Sequence, residues 1–325
     1  MFSLRRTLLT AFLIVALPHQ ALAAQGFNLW LQGVRQEARE KGISDSTIRS
    51  ALENVVHIDR VIELDRKQPE SRLTFPEYKN KVISNARINE GREMLRQHSS
   101  LLQAASSNTC GIDPEVIVAL WGMETSYGKN TGNFSVINAL ATLAYDGRRS
   151  SFFRGELMKA LKIIDQGHIS AREMEGSWAG AMGQNQFMPS SFVAYAIDGN
   201  GDGKRDIWNS LPDVFVSTAN YLCKSGWRGD ERWGREVRLT QTIPSSLMGL
   251  DTRRSLRQWA AMGVTLPNGQ PLPADSDMEA SLVRPEGSAS AYLVYNNYRT
   301  IMKWNRSVYF ATSVGILSDA IALAP

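Results

Sequence analysis

Glu124 is the residue best placed to do chemistry, in the stretch Trp121-Gly-Met-Glu-Thr-Ser-Tyr-Gly128. Apolar spacing predicts a helix that begins at Asp113 and carries Glu124 near its end. Leu120 and Trp121 lie one turn earlier on the same side of that helix. Burial in such company disfavours the carboxylate, and the negative end of the helix dipole acts in the same direction. A carboxyl group kept protonated near neutral pH is what a general acid for glycosidic cleavage requires. An ordinary solvated glutamate is the competing reading, and the helix alone favours it.

A second segment changes that balance. Gly176-Ser-Trp-Ala-Gly-Ala-Met-Gly-Gln-Asn-Gln-Phe-Met-Pro-Ser-Ser191 interleaves glycines with neutral amides and hydroxyls. Its glycines let backbone approach a ligand closely. Ser177, Gln184 and Gln186 offer neutral donors and acceptors, and Trp178 and Phe187 offer apolar faces. That mixture suits a neutral polyol such as a sugar. A tight helix–helix contact built on small residues is the bland alternative.

A third segment has cation-ligand spacing. Asp198-Gly-Asn-Gly-Asp-Gly-Lys-Arg-Asp206 follows the start of an EF-hand loop. Side-chain oxygens fall at Asp198, Asn200, Asp202 and Asp206, Lys204 can give its carbonyl, and Gly203 takes the sixth position. The twelfth position is Asn209 rather than glutamate, so Asp213 is the expected substitute. Structural calcium is the first reading, with no metal at the reacting bond, and a metal-free Asp/Gly turn is the second.

The elements that must position these residues read mostly as helices. They are expected at Phe27–Lys41, a short one from Ser44 or Asp45, a long polar one after Pro76, Asn138–Tyr145, Phe152–Gln166, Pro189–Ala196, Pro212–Lys224 and about Val308–Ile321. Asp113 as N-cap, Pro114 at the first position, an Ile112–Ile117 staple and Gly128 as the stop define the Glu124 helix. Past Gly226 the pattern changes. Arg235–Ile243, Glu279–Val283 and Ala291–Tyr295 read as strands. The expectation is a mainly α (α+β) chain, with a helical body over about 24–226 plus 296–325 and a small mixed α/β subdomain over about 227–295.

Residues 1–23 read as a signal peptide: Arg5 and Arg6, an apolar run from Leu8 to Leu17, then Ala21-Leu-Ala23. The product is expected to be soluble and exported to the periplasm, without a membrane anchor. The formal charge is +4, or +2 without Arg5 and Arg6, which makes no case for nucleic acid. Two cysteines, Cys110 and Cys223, can form one disulfide in an oxidising compartment or remain two buried thiols.

Taken together, these motifs resemble the lytic murein transglycosylase B family in its soluble periplasmic form. The matching residues are Met-Glu-Thr-Ser-Tyr-Gly (123–128), Asn-Ala-Leu-Ala-Thr-Leu-Ala-Tyr (138–145), Arg-Arg (148–149), the whole of 176–191, Asp-Gly-Asn-Gly-Asp-Gly (198–203) and Tyr-Arg-Thr-Ile-Met-Lys-Trp-Asn-Arg-Ser (298–307). The resemblance implies a lysozyme-like helical core. It also implies non-hydrolytic cleavage of the β-1,4 bond between N-acetylmuramic acid and N-acetylglucosamine, leaving a 1,6-anhydromuramic end. No catalytic cofactor is implied. The expected partners are glycan strands, their stem peptides and proteins of the wall-building machinery.

The resemblance places the single catalytic carboxyl at Glu124. Glycosidases usually deploy two carboxylates, and the nearest rival, Asp146, reads as a turn or cap residue. One acid suffices if the substrate supplies the nucleophile. The resemblance further implies substrate-binding roles for Ser177, Gln186, Tyr221 and Asn305, and Arg148 and Arg149 are expected to meet acidic groups of the stem peptide. Phe152 and Trp304 stand where tyrosines are common in the family, which keeps aromatic stacking and loses the hydroxyl bonds. The chain ends after its last helix, so no appended wall-binding module is expected. A hydrolytic muramidase and a non-catalytic wall-binding scaffold are the competing functions.

Overall fold

The structure, a computed structural model, describes residues 18–67, 73–273 and 278–323. The signal-peptide reading therefore falls outside the described residues, apart from the backbone of residues 18–23. Three helices open the chain: α1 (Pro18–Glu40), α2 (Asp45–Leu52) and α3 (Asp59–Arg66), the last not anticipated. Ser44 starts α2 by accepting the backbone N–H of Thr47. The long helix expected after Pro76 is instead two, α4 (Phe75–Val82) and α5 (Asn85–Gln97). Ile83 leaves helical geometry, and the Ser84 side chain accepts the N–H of Arg87 to begin α5. A serine that bonds local backbone offers the chain an alternative to continuing a helix.

After α6 (Ser99–Ser107) comes α7 (Pro114–Thr125), the helix that carries Glu124. A two-stranded ladder, β1 (Phe134–Ser135) with β2 (Glu175–Gly176), brackets α8 (Val136–Tyr145) and α9 (Ser150–Asp165). Next come α10 (Pro189–Tyr195) and α11 (Leu211–Lys224). Both α7 and α8 are apolar around most of their circumference, so each is enclosed on several sides. α7 packs against α14 (Val308–Ala322), α5 and α6, while α8 packs against α9 and α3. Two cores result. One gathers Leu31, Val34, Leu52, Leu140, Leu143 and Leu161, and the other Leu102, Ile117, Leu120, Phe215, Tyr298 and Val314.

The strand-rich part of the chain is a five-stranded antiparallel sheet in the order β4-β6-β7-β3-β5. Its strands are β3 (Gly234–Leu239), β4 (Arg254–Ser255), β5 (Val264–Thr265), β6 (Glu279–Val283) and β7 (Ala291–Val294). A short helix, α12 (Leu256–Ala261), sits between β4 and β5 and buries Trp259 against Leu282 and Leu293 in a third core. β3 ends at Leu239, short of the expected Ile243: its pairing with β7 stops at Val237, and beyond its two pairs with β5 the Thr240 N–H and hydroxyl both close on the Gly263 carbonyl. From β7 the chain passes directly into α13 (Asn296–Trp304), a helix that the sequence reading did not anticipate. The observed class is mainly α with a small sheet, as expected. Among the described residues no helix is long and apolar enough to cross a membrane.

Candidate active site

Glu124 sits on the last turn of α7, and the structure fixes both ends of that helix. At its start Ile112 and Ile117 are fully buried, as a hydrophobic staple requires. Asp113 occupies the cap position, yet its side chain makes no capping bond; burial and the charge of Glu115 instead raise its pKa. At the other end the helix stops at Thr125, before the expected Gly128. Ser126 takes φ 50° and Tyr127 φ 60°, a left-handed conformation rare for residues with a Cβ.

That reversal is held by named contacts. The Tyr127 hydroxyl donates to the Arg87 carbonyl at 2.8 Å, and Arg87 Nη2 donates to Ser126 Oγ at 2.9 Å. The Tyr127 ring folds back over Gly122, where a Cβ would stand 2.6 Å from Cε1. Only glycine at 122 leaves room for the ring that locks the turn beyond Glu124.

Glu124 itself is half-buried, and its Oε1 accepts a 2.7 Å hydrogen bond from Trp304 Nε1. Burial pushes its pKa up to about 7, against the opposing pull of the Trp304 donor. Among the described residues no neighbouring carboxylate contributes to that shift. Asp146, the rival acid, is the C-cap of α8 and is paired with Arg66 at 3.2 Å, which fits a capping role. Trp304 ends α13 and packs against Tyr221 and Phe187, with ring centroids 4.7 and 5.2 Å away. Tyr221 stacks edge-on against Tyr195 and donates its hydroxyl to the Lys303 carbonyl at 2.8 Å. Its expected place near the acid is thus reached through Trp304.

The glycine-rich segment is bolted to α7. Trp121 Nε1 donates to Gln184 Oε1 at 2.8 Å, Gln184 Nε2 donates to the Trp208 carbonyl at 2.8 Å, and Thr125 Oγ1 donates to the Gln184 carbonyl at 3.1 Å. Gln184 is therefore the residue that sets this loop against the acid's helix. The sequence offered it only as one of several neutral amides. Ser177 Oγ accepts the N–H groups of Ala179 and Ala181, and Gln186, at φ 51°, donates Nε2 to the carbonyls of Thr131 and Gly183. Both brace the loop.

Other expected residues fall differently. Asn305 is exposed, caps the end of α13 and accepts the Ser307 N–H at 3.0 Å, while Ser307 itself caps α14. Phe152 is 49% exposed on α9, edge-on to Phe153, with no contact that brings it to Glu124. Arg148 and Arg149 both reach one buried carboxylate. Arg148 Nε donates to Asp65 Oδ2 at 2.8 Å and Arg149 Nη2 to Asp65 Oδ1 at 2.6 Å. The Asp65 side chain is 1% exposed, and a buried carboxylate demands such partners. The Arg148 guanidinium first, then Arg149, hold its carboxyl below the usual range. Both arginines tie α3 to the α8–α9 turn and are occupied there.

The Asp198 loop turns its oxygens on itself. Asp198 accepts the N–H groups of Gly201, Asp202 and Gly203, and Asp202 Oδ1 accepts that of Lys204. Asp206 accepts from Trp208 and Asn209. Asp213, fully buried, accepts from Gly199, Asp206 and Ser210. Among the described residues no group of three His, Cys, Asp or Glu converges as a metal cage. The donors are nonetheless the hard oxygens calcium prefers, and among the described residues none of the four carboxylates is ion-paired. Burial, joined by the charge of Asp198, raises the pKa of Asp213. Cys110 and Cys223 are disulfide-bonded, with Cα atoms 5.7 Å apart, and tie the approach to α7 to the end of α11.

Comparison with known proteins adds the following. A family model described as transglycosylase SLT domain matches residues 26–319. The chain is 31% identical over 306 residues to the membrane-bound lytic murein transglycosylase B of Escherichia coli K12, covering 90% of this chain and 82% of that one. Its fold is similar to SltB3 from Pseudomonas aeruginosa in complex with NAG-NAM-pentapeptide, with TM-score 0.88, 43% identity and coverage of 92% and 80% of the two chains. It is also similar to the lytic transglycosylase Slt35 of Escherichia coli in complex with calcium, with TM-score 0.77, 29% identity and coverage of 92% and 93%.

Proposed function

The chain belongs to the transglycosylase SLT domain family, and from that premise we propose that it is a lytic transglycosylase of peptidoglycan in which Glu124 acts first as acid and then as base. The lysozyme-like helical core places that residue at the end of a buried helix. The reading rests above all on one observation. Glu124 has a pKa pushed up to about 7 and a tryptophan donor at 2.7 Å, with no second carboxylate among the described residues near enough to perturb it.

Protonated Glu124 gives its proton to the glycosidic oxygen as the bond from that oxygen to C1 of N-acetylmuramic acid breaks. The substrate's own 2-acetamido oxygen stabilises the charge left at C1. The Glu124 carboxylate then removes the proton of the muramoyl 6-hydroxyl as O6 bonds to C1, giving a 1,6-anhydro end and restoring the acid. Trp304 can donate and cannot accept, so it stabilises the carboxylate formed between the two steps. Tyr221 holds Trp304 in place. Ser177 and Gln186 shape the loop that would receive the sugar, and Asn305, next to Trp304, would bind the muramoyl unit. The reaction needs no catalytic cofactor. SltB3 was captured with NAG-NAM-pentapeptide and with NAG-anhNAM-pentapeptide, so glycan strands with their stem peptides are the substrate class we assign. Export to the periplasm, supported by the leader-like residues 1–23, would deliver the enzyme to that substrate. The Asp198 loop, with Asp198, Asn200, Asp202, Lys204, Asp206 and Asp213, would hold a stabilising calcium ion.

Mass spectrometry of digested peptidoglycan tests the chemistry. The anhydro product is lighter than a hydrolysed one by one water, so a hydrated end would assign a muramidase instead. Glu124→Gln is expected to release no product, and full activity in that variant would remove the central claim.

A further inference from the structure

A cavity of about 370 Å³ lies apart from Glu124, between the sheet and the first turn of α13. Its charged lining is Arg228, Arg253 and Arg299 with Glu231 and Glu279. Two of the cations are matched: Arg228 reaches Glu231 at 3.2 Å, and Arg253 stands 4.0 Å from Glu279. Arg299 forms no salt bridge among the described residues; it feels the charge of Asp251 from a distance and the opposing charge of Arg253. Its Nη2 donates to the Leu250 carbonyl and, at 2.8 Å, to Ser281 Oγ, which fixes the guanidinium in place. The N-terminus of α13 also faces this space, and its first N–H, that of Asn296, donates to Glu231 Oε1 at 2.6 Å.

An anchored guanidinium with no bonded carboxylate, beside a second arginine, is a receptor for a carboxylate. Glu279, whose side chain is 63% exposed and only 4.0 Å from Arg253, is the carboxylate left to receive an ammonium group, and with Glu231 it would repel a multiply charged inorganic anion. Ala280 and Val294 supply small apolar walls. The volume equals roughly a dozen waters, enough for two short amino-acid residues. We propose that this cavity binds a zwitterionic peptide end, one carrying both a free carboxylate and a free ammonium group.

The proposal rests on the peptidoglycan reading only for its natural source, a stem peptide. Asn296 and Trp304 are opposite ends of one nine-residue helix, about 12 Å apart along its axis. An extended peptide of about four residues spans that distance. The cavity would thus give the far end of the stem peptide a contact of its own, whereas Arg148 and Arg149 pair with Asp65.

Titration calorimetry with the dipeptide alanyl-glutamate tests the site without any glycan or turnover. The parent protein is expected to bind it saturably. Arg299→Met should weaken binding at least tenfold, and Arg253→Ala, altering a residue whose side chain is 49% exposed, should weaken it several-fold without disturbing the fold. The N-acetylated, C-amidated dipeptide should bind at least tenfold more weakly, and inorganic phosphate should not compete. Glu124→Gln should bind like the parent, which separates failure of this site from failure of the catalytic assignment. Absence of saturable binding, equal affinity in Arg253→Ala, or equal binding of the blocked peptide would overturn the proposal. Weaker binding of peptide-bearing glycan by Arg253→Ala, with peptide-free glycan unaffected, would assign the attached stem as the source. Unchanged affinity for both glycans would assign free peptides.

Discussion

The indole N–H of Trp304 and the carboxyl of Glu124 meet at 2.7 Å although 180 positions separate them in the chain. The bond favours the ionised carboxyl while burial favours the neutral one, and burial prevails. The first catalytic step needs the proton, so kcat/KM should fall as pH rises through about 7. Trp304→Phe keeps the ring and removes the donor. Its pH–rate profile should show the falling limb moved upward by about one unit and a lower plateau, because the transient carboxylate has lost its partner. A limb that moves downward would contradict this assignment.

The same shift makes Glu124 a stability liability. Its folded pKa, about 7, lies above the ordinary value of 4.5. Between those values the folded protein binds more protons than the unfolded chain, so this group lowers stability as pH rises. Glu124→Gln should match its parent in denaturant unfolding at pH 4.5 and exceed it at pH 7.5 by about 2 kcal/mol.

Gly132 supports the loop that carries Ser177. It adopts φ 91°, and a Cβ there would stand 2.1 Å from the Gly176 carbonyl oxygen, whereas Gly147 adopts φ 87° with nothing within 4 Å. Gly147→Ala should cost about 1 kcal/mol from backbone strain alone. Gly132→Ala should cost about 3 kcal/mol or more and lower kcat as well, since the backbone it meets is that of the loop we assign to the sugar. Urea unfolding of both variants beside turnover measurements checks the contrast.

Arg148→Ala leaves the buried Asp65 carboxylate with Arg149 as its one guanidinium. It should lower stability by about 1–3 kcal/mol at neutral pH. Asp65 has a depressed pKa, so the stabilisation from its arginines is present above the unfolded value near 3.8 and lost as pH falls through the folded one. The deficit of the variant should therefore shrink in melting curves recorded toward pH 3. KM for peptide-bearing peptidoglycan should be unchanged, whereas a direct substrate contact would raise it.

Calcium should raise the melting temperature of chelator-treated protein by several degrees when added at about a hundred times its dissociation constant. Asp213→Asn, which keeps the side chain's shape and removes its charge, should abolish the gain. An unchanged melting temperature in the parent would show that the Asp198 loop is a self-capped turn.

Local signals made much of this protein legible in its sequence. The apolar run of α7 and its Ile112–Ile117 staple depend on neighbours a turn away, as do the strand alternation of β6 and β7, so they could be read directly. The same applies to Glu124 as a carboxyl in apolar company. Ser84 splits the expected long helix through one side-chain bond, a local signal outweighed by the apolar spacing around it. What the sequence could not supply were relationships between distant residues. Helix α13 follows a strand at once, and its amphipathic spacing was hidden beside that strand's own pattern. Gln184 became the bolt between the glycine-rich loop and α7 only because Trp121 and Thr125 face it. Arg148 and Arg149, exposed in composition terms, were claimed by a buried Asp65 more than eighty positions away. Residue types and short spacings determined which groups could do chemistry; close packing of remote segments decided which were free to do it, because burial and hydrogen-bond partners belong to the folded environment rather than to the residue.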